Sequence, residues 1–135
     1  KYIFTGFMKS YYVENKFDST TEQDFAFILE NESKVLKWLR PVTNQFSIYW
    51  GNGAHKYEPD FIVETEDSIY MIETKKAKDV TDDDVQAKKD AAQEYCKYAT
   101  EYNIQNGGKP WQYILLPHDS VDRTCSFDFL MAHKA

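Results

Sequence analysis

The chain has no apolar run approaching the ~20 residues that cross a bilayer, and no signal-peptide pattern at its start. No membrane partner is expected. Cysteine is scarce. Cys96 sits inside a helical pattern and Cys125 in a tail, and two such residues make no disulfide scaffold at this size. Free thiols in a reducing, cytoplasmic setting are expected. Histidine is scarce too: His55 falls in a loop with no second histidine at ligand spacing, which excludes a zinc site of the usual kind. The glycine pair Gly107-Gly108 lacks phosphate-loop spacing and reads as a helix stop. Positive charge is short as well. Lys and Arg number 16 against 22 Asp and Glu, a net charge of −6, so overall charge cannot attract nucleic acid. Any phosphate contact needs a local cluster, or positive surface from elsewhere in an intact protein. Lys75, Lys76 and Lys78 form one cluster. Lys88, Lys89 and Lys97 lie on a following helix, where solvation is the simpler account.

What is present is a core. Hydrophobic residues make up 42% and aromatics 16%, enough for one domain in 135 residues. The pattern centres on residues 57–75. Phe61-Ile62-Val63 and Ile69-Tyr70-Met71-Ile72 are apolar, β-prone runs, and Thr65-Glu66-Asp67-Ser68 between them is a turn. Pro59 suits the start of a strand. A turn centred on Glu66-Asp67 sets Thr65 opposite Ser68 and Glu64 opposite Ile69. Counting outward, Asp60 falls opposite Glu73, with side chains roughly 5 Å apart at Cβ. Alternation then puts Lys75 on the same face.

Two opposed carboxylates repel unless a cation lies between them. Mg²⁺ takes carboxylate oxygens at about 2.0–2.1 Å and completes its shell with water and substrate phosphate. It polarises a phosphoryl oxygen and acidifies bound water, the two requirements of phosphodiester hydrolysis. A lysine beside it orients that water or neutralises developing charge. The competing account is a solvated cross-strand charge pair of small energetic value. Against it, Glu73 and Lys75 follow a strand that reads as buried on both faces, where charges need partners.

Elsewhere, residues 1–17 read as an aromatic-rich extension or linker with a short strand near Tyr2-Ile3-Phe4. The start at Lys1 fits a fragment of a longer chain. Residues 18–118 form the core. A first helix opens near Thr20 behind Ser19-Thr20-Thr21-Glu22, a capping box. Its stripe of Phe25, Ile28, Leu29, Leu36 and Leu39 carries it to Arg40-Pro41, with an interruption at Asn31-Glu32-Ser33. Phe46–Trp50 is a strand turned by Gly51-Asn52-Gly53. A second helix spans about Asp82 to Tyr102 with a stripe of Val85, Ala92, Tyr95, Cys96, Ala99 and Tyr102; its acidic start is explained by the helix dipole. Trp111–Leu116 is a buried strand parallel to Ile69–Lys75. His118 at its end either reaches the site or is an ordinary loop histidine. Residues 119–135 hold a short C-terminal helix, with Ser126 as its cap. The order α, β, β, β, α, β gives an α/β fold, a central mixed sheet flanked by helices.

Pro59-Asp60 with Glu73-Thr74-Lys75 resembles the PD-(D/E)XK nuclease signature. A longer series occurs in order: Lys16–Ser19, Glu22 with Phe25-Ala26, Val35–Pro41, Gln45–Trp50, Tyr57–Phe61 and Gly107–Trp111. It is similar to the C-terminal endonuclease region of the Res subunit of type III restriction–modification systems and of related helicase–nuclease proteins. The resemblance covers most of the chain and includes no helicase motif. It implies a restriction-endonuclease-like core acting on double-stranded DNA in a prokaryotic cytoplasm, with Mg²⁺ or its substitute Mn²⁺. It implies Asp60, Glu73 and the Thr74 carbonyl as metal ligands and Lys75 as the catalytic lysine. It also implies an acidic residue on the first helix near the metal. By position that is Glu22, although capping explains Glu22 equally well, and Glu30 is the fallback. A lysine of the second helix, Lys88 or Lys89, is implied near the site. The implied partners are a helicase/ATPase domain of the same longer chain and a modification (methyltransferase) subunit. The alternative is a nuclease-like domain without activity, serving as a DNA-binding or docking module of a helicase.

Overall fold

The computed structural model describes residues 3–51 and 53–134; the expectations resting on Lys1, Tyr2, Asn52 and Ala135 lie outside them. The hairpin has the expected register. Strands β6 (Phe61–Thr65) and β7 (Ile69–Lys75) pair antiparallel, with Phe61 opposite Ile72 and Glu64 opposite Ile69. The turn is closed by its own small polar residues: Thr65 N–H donates to Ser68 O at 2.9 Å, and Ser68 N–H to Thr65 Oγ1 at 3.1 Å. One step beyond the strand, Asp60 N–H donates to Ile72 O at 3.1 Å, the carbonyl of the residue already paired with Phe61, so the ladder ends at Phe61–Ile72 and Asp60 sits beside Glu73-Thr74 without continuing it.

The main sheet has the order β3-β6-β7-β8. Strand β8 (Trp111–Pro117) runs parallel to β7, with Ile72 beside Ile114 and Lys75 beside Pro117. The crossover is helix α2 (Asp83–Gln105), which stops where Gly108 N–H bonds Asn103 O at 2.7 Å. This is a mixed sheet flanked by helices. On one face lie helix α1 (Thr20–Asn31) and helix α3 (Phe127–Ala132), packing Phe25, Leu29, Phe127 and Leu130 on Phe61, Val63, Ile72 and Ile114. On the other, α2 contributes Val85, Ala92 and Cys96 against Met71, Tyr113 and Leu115. Tyr95 and Tyr102, expected in that buried stripe, are the more exposed at 36% and 68%. Both cysteines are free. No helix among the described residues is long and apolar enough to cross a membrane.

The first helix is shorter than its apolar stripe implies. It ends at Asn31, Glu32 is extended, and residues Val35–Leu39 form strand β3, antiparallel to β6. The reason is a β-bulge. Val35 pairs with Thr65 but Lys37 with Glu64, so Leu36 is extra. The bulge turns both Val35 and Trp38 into the core, each 1% exposed, while Leu36 stays out. An apolar spacing of three therefore arises in a strand and imitates a helix. The simple order of one helix, three strands, one helix and one strand is corrected accordingly. Two short ribbons are added to the sheet: β1 (Ile3–Phe4) with β2 (Asn15–Lys16), and β4 (Ile48–Trp50) with β5 (His55–Tyr57). His55 thus belongs to a strand and stacks on Trp50. At the C-terminus only Phe127–Ala132 is α-helical; Ser126 caps it, accepting from Phe129 N–H at 3.0 Å.

Residues 3–17 are part of the domain body. Phe17 is buried in the core, and Phe7 packs edge-on against Trp38. Trp38 N–H donates to Lys9 O at 3.0 Å, and Tyr11 N–H to Trp38 O at 2.8 Å, so this segment covers the free edge of β3. Glu30 fixes it. Its carboxylate accepts from Met8 N–H (2.6 Å), Lys9 N–H (2.9 Å) and Trp38 Nε1–H (2.8 Å). Replacing Glu30 by Ala leaves these donors unanswered and should destabilise the domain by about 2 kcal/mol, since hydrogen bonds to a charged group contribute about 1.5–3 kcal/mol. Urea unfolding measures this directly; an unchanged midpoint would mean that Glu30 does not hold the segment in place.

Candidate active site

One end of the sheet gathers the chemistry. Strand β3 ends there and leads to Arg40; β6 begins there after Asp60; β7 and β8 end there in Glu73-Thr74-Lys75 and His118. Helix α1 starts beside them with Ser19 and Glu22. The antiparallel and parallel pairings of a mixed sheet bring these four chain segments together.

Asp60 is the hub. Its Oδ2 accepts from Thr74 N–H at 2.9 Å and Thr74 Oγ1–H at 3.1 Å. The Glu73 carboxyl also hydrogen-bonds to it. Glu73 is 7% exposed, and its pKa is pushed well above the usual carboxylate range. Burial is the main cause, then the hydrogen bond and the negative charge of Asp60, opposed by Tyr57 and by the positive charge of Lys75. Without a cation, then, burial and Asp60 favour the protonated form of Glu73. The buried Tyr57 hydroxyl near Glu73 finds no partner at hydrogen-bond geometry.

Glu22 is buried on the other side of Asp60. Its pKa is raised by burial and then by the Asp60 charge, with Arg40 opposing. As in a capping box, Ser19 Oγ accepts from Glu22 N–H at 3.2 Å, but the Glu22 carboxylate reaches one residue further back than expected, to Asp18 N–H at 2.8 Å. The same Oε1 pairs with Arg40 Nη2 at 2.6 Å. Glu22 is therefore a cap and an ion-pair partner, close to Asp60. Glu30, the fallback, is occupied with residues 8, 9 and 38 instead.

Sequence reasoning gave Arg40 no role beyond ending a helix. The guanidinium ties the site together: Nε donates to Lys16 O at 2.9 Å, Nη1 to Asp60 O at 2.9 Å, and Nη2 pairs with Glu22 and, at 3.1 Å, with Asp18. Its plane lies over the rings of Phe17 and Phe61. The signal available in the sequence was a lone arginine after a strand and before a proline, which does not name distant partners.

Lys75 adjoins both Glu73, whose charge it favours, and a cleft of about 220 Å³ lined by Ser19, Glu22, Thr74, Lys76, Asp79 and His118. His118 thus reaches the site. Lys88 and Lys89 do not line this cleft; Lys88 pairs with Asp84 on its own helix at 3.2 Å.

Among the described residues no three or more His, Cys, Asp or Glu side chains form a metal cage. Asp60 and Glu73 offer two hard oxygen donors side by side. That donor chemistry fits a single Mg²⁺ that draws the rest of its shell from main chain, water and substrate. Comparison with protein-family models, curated proteins and solved structures returns no match.

The charges make the site's stability depend on pH. A raised Glu73 pKa means the native state holds its proton more tightly than the unfolded state. The resulting stability is complete below the ordinary value of 4.5 and is lost as pH rises through the raised native value. In EDTA, stability should fall from pH 4.5 to neutrality, and Glu73→Gln should flatten most of that slope; a flat wild-type profile contradicts the shared proton. Arg40→Ala strands buried Glu22 and should cost about 3–5 kcal/mol, the usual penalty for breaking a buried pair. Adding Glu22→Gln should recover much of it in the same urea titrations.

Proposed function

We propose that this chain is a Mg²⁺-dependent endonuclease domain that hydrolyses DNA phosphodiester bonds, with a restriction-endonuclease-like core. The resemblance to type III Res subunits makes it the cleavage module of a helicase–nuclease protein. The observation that carries the reading is the contact of partly buried Asp60 with buried Glu73, with Lys75 beside them. Burying two carboxyls at contact is unfavourable for a fold unless a cation is to replace their shared proton.

Asp60, Glu73 and the Thr74 carbonyl would hold the ion. When bound, Mg²⁺ supplies Lewis acidity and an acidified water. The chain's own residues do the positioning. Thr74, through amide and hydroxyl, fixes the Asp60 carboxylate by one oxygen and leaves the other for the ion. Arg40 holds the Asp60 backbone and neutralises Glu22. Lys75 orients the attacking water and offsets charge building on the phosphoryl oxygens. In the reaction the water oxygen bonds to phosphorus, one P–O ester bond breaks, and the leaving oxygen takes a proton.

One observation favours the second reading, an inactive DNA-binding or docking module. Glu22 is engaged by Arg40, which leaves two carboxyls for an ion rather than three. Nicking of supercoiled plasmid in Mg²⁺ or Mn²⁺ separates the two. The nuclease reading expects nicking that EDTA abolishes and that Asp60→Asn or Lys75→Ala lowers by about 10²–10³-fold, the usual effect of removing one transition-state electrostatic partner. Wild-type rates in either variant would overturn the assignment.

A further inference from the structure

The cleft beside Lys75 is chemically distinct from the carboxylate pair. Its lining carries Lys75, Lys76 and His118, and among the described residues none of the three is in an ion pair within 4 Å. The fold sets them there in a definite way. The parallel register puts Pro117 beside Lys75, so the next residue on each strand, Lys76 and His118, leave the sheet together. Short 3₁₀ turns follow at once, Ala77–Asp79 after Lys76 and His118–Ser120 after β8, and these bend both chains around the cleft. Of the two acids at its wall, Glu22 is paired with Arg40 at 2.6 Å, and Asp79 sits in the 3₁₀ turn after Lys76. In a chain of net charge −6, three nitrogen-bearing side chains against these two acids make a local concentration of donors around a recess.

We propose that this cleft is an anion subsite for a backbone phosphate of DNA, neighbouring the phosphodiester held at Asp60–Glu73, with Lys76 and His118 as its positioning residues. The ligand class follows from the donor set. Lysine ammonium and imidazole N–H point donors suit the oxygens of a phosphate. The position follows from Lys75, which faces both the cleft and Glu73. A strand laid across this end of the sheet would set one phosphate on each side of that lysine. That this phosphate neighbours the scissile one rests on the nuclease reading; the anion subsite does not.

The test measures binding without cleavage. Affinity of the whole chain for a short fluorescent DNA duplex is read by anisotropy in EDTA over a salt series, for wild type, Lys76→Gln, His118→Gln and the double variant. Lys34→Gln, a surface lysine paired with Asp128, is the control. Thermal melts check that each variant folds. The double variant should bind at least tenfold more weakly. Its slope of log affinity against log salt should be shallower by about 0.9, the value for one phosphate that the protein no longer neutralises, and Lys34→Gln should change neither. In cleavage assays the same variants should raise KM far more than they lower kcat, which a merely structural lesion would not do. An unchanged salt slope in the folded double variant overturns the subsite. If inorganic phosphate shifts the His118 NMR signals but duplex does not, the cleft serves a small phosphate ligand, and the DNA assignment is overturned. The salt series in EDTA reads the subsite and nicking in Mg²⁺ reads the catalytic assignment, so either can fail without the other.

Discussion

Two carboxyl groups in one hydrogen bond cannot both be ionised at little cost, and this constraint governs the end of the sheet where Asp60 meets Glu73. The hairpin register forces the pair together, and the core forbids escape. Shifting β6 by one residue against β7 would turn Phe61 and Val63 out of the core, where both are fully buried. The apolar face of the strand thus holds an electrostatically unfavourable contact in place. Thr74 lowers its cost by giving Asp60 two donors, and the raised pKa of Glu73 reflects what remains of it.

Arg40 extends the same logic across the sheet edge. It is one cation set among Asp18, Glu22, the Asp60 carbonyl and the Lys16 carbonyl, and it joins β2, α1, β3 and the start of β6. With Glu22 paired in this way, the nitrogen-bearing side chains that line the cleft at this end are Lys75, Lys76 and His118. The acidic total of the chain therefore conceals a local gathering of donors beside the carboxyl pair.

The hairpin and its carboxylate pair were legible because local signals agreed there: β-prone runs, a four-residue polar turn, and strict alternation that fixes the register once the turn is placed. The parallel β7–β8 pairing was legible through the intervening helix. Strand β3 was not, because Leu36 and Leu39, three apart, continue the apolar stripe of α1, and the bulge that turns Val35 and Trp38 inward depends on the partner strand. Strand β5 was not, because His55-Lys56-Tyr57 is short, largely exposed and paired in a two-stranded ribbon. The roles of Arg40 and His118 depend on partners supplied by pairing between distant segments. Sequence spacing carries no record of that. The ambiguity between Glu22 and Glu30 had the same origin. Both lie on α1, and only the packing of residues 3–17 over β3 shows that Glu30 serves the N-terminal segment.

A proton held between Asp60 and Glu73 is one that a divalent cation should displace. Calorimetric titration of the domain with Mg²⁺ and with Mn²⁺, at one pH in two buffers of different ionisation enthalpy, counts protons released per ion bound. Displacement predicts saturable binding with close to one proton released well below the Glu73 pKa, less release as pH rises through it, and no binding in Asp60→Asn. Binding without proton release at any pH, or no binding to a folded wild-type domain, would contradict it.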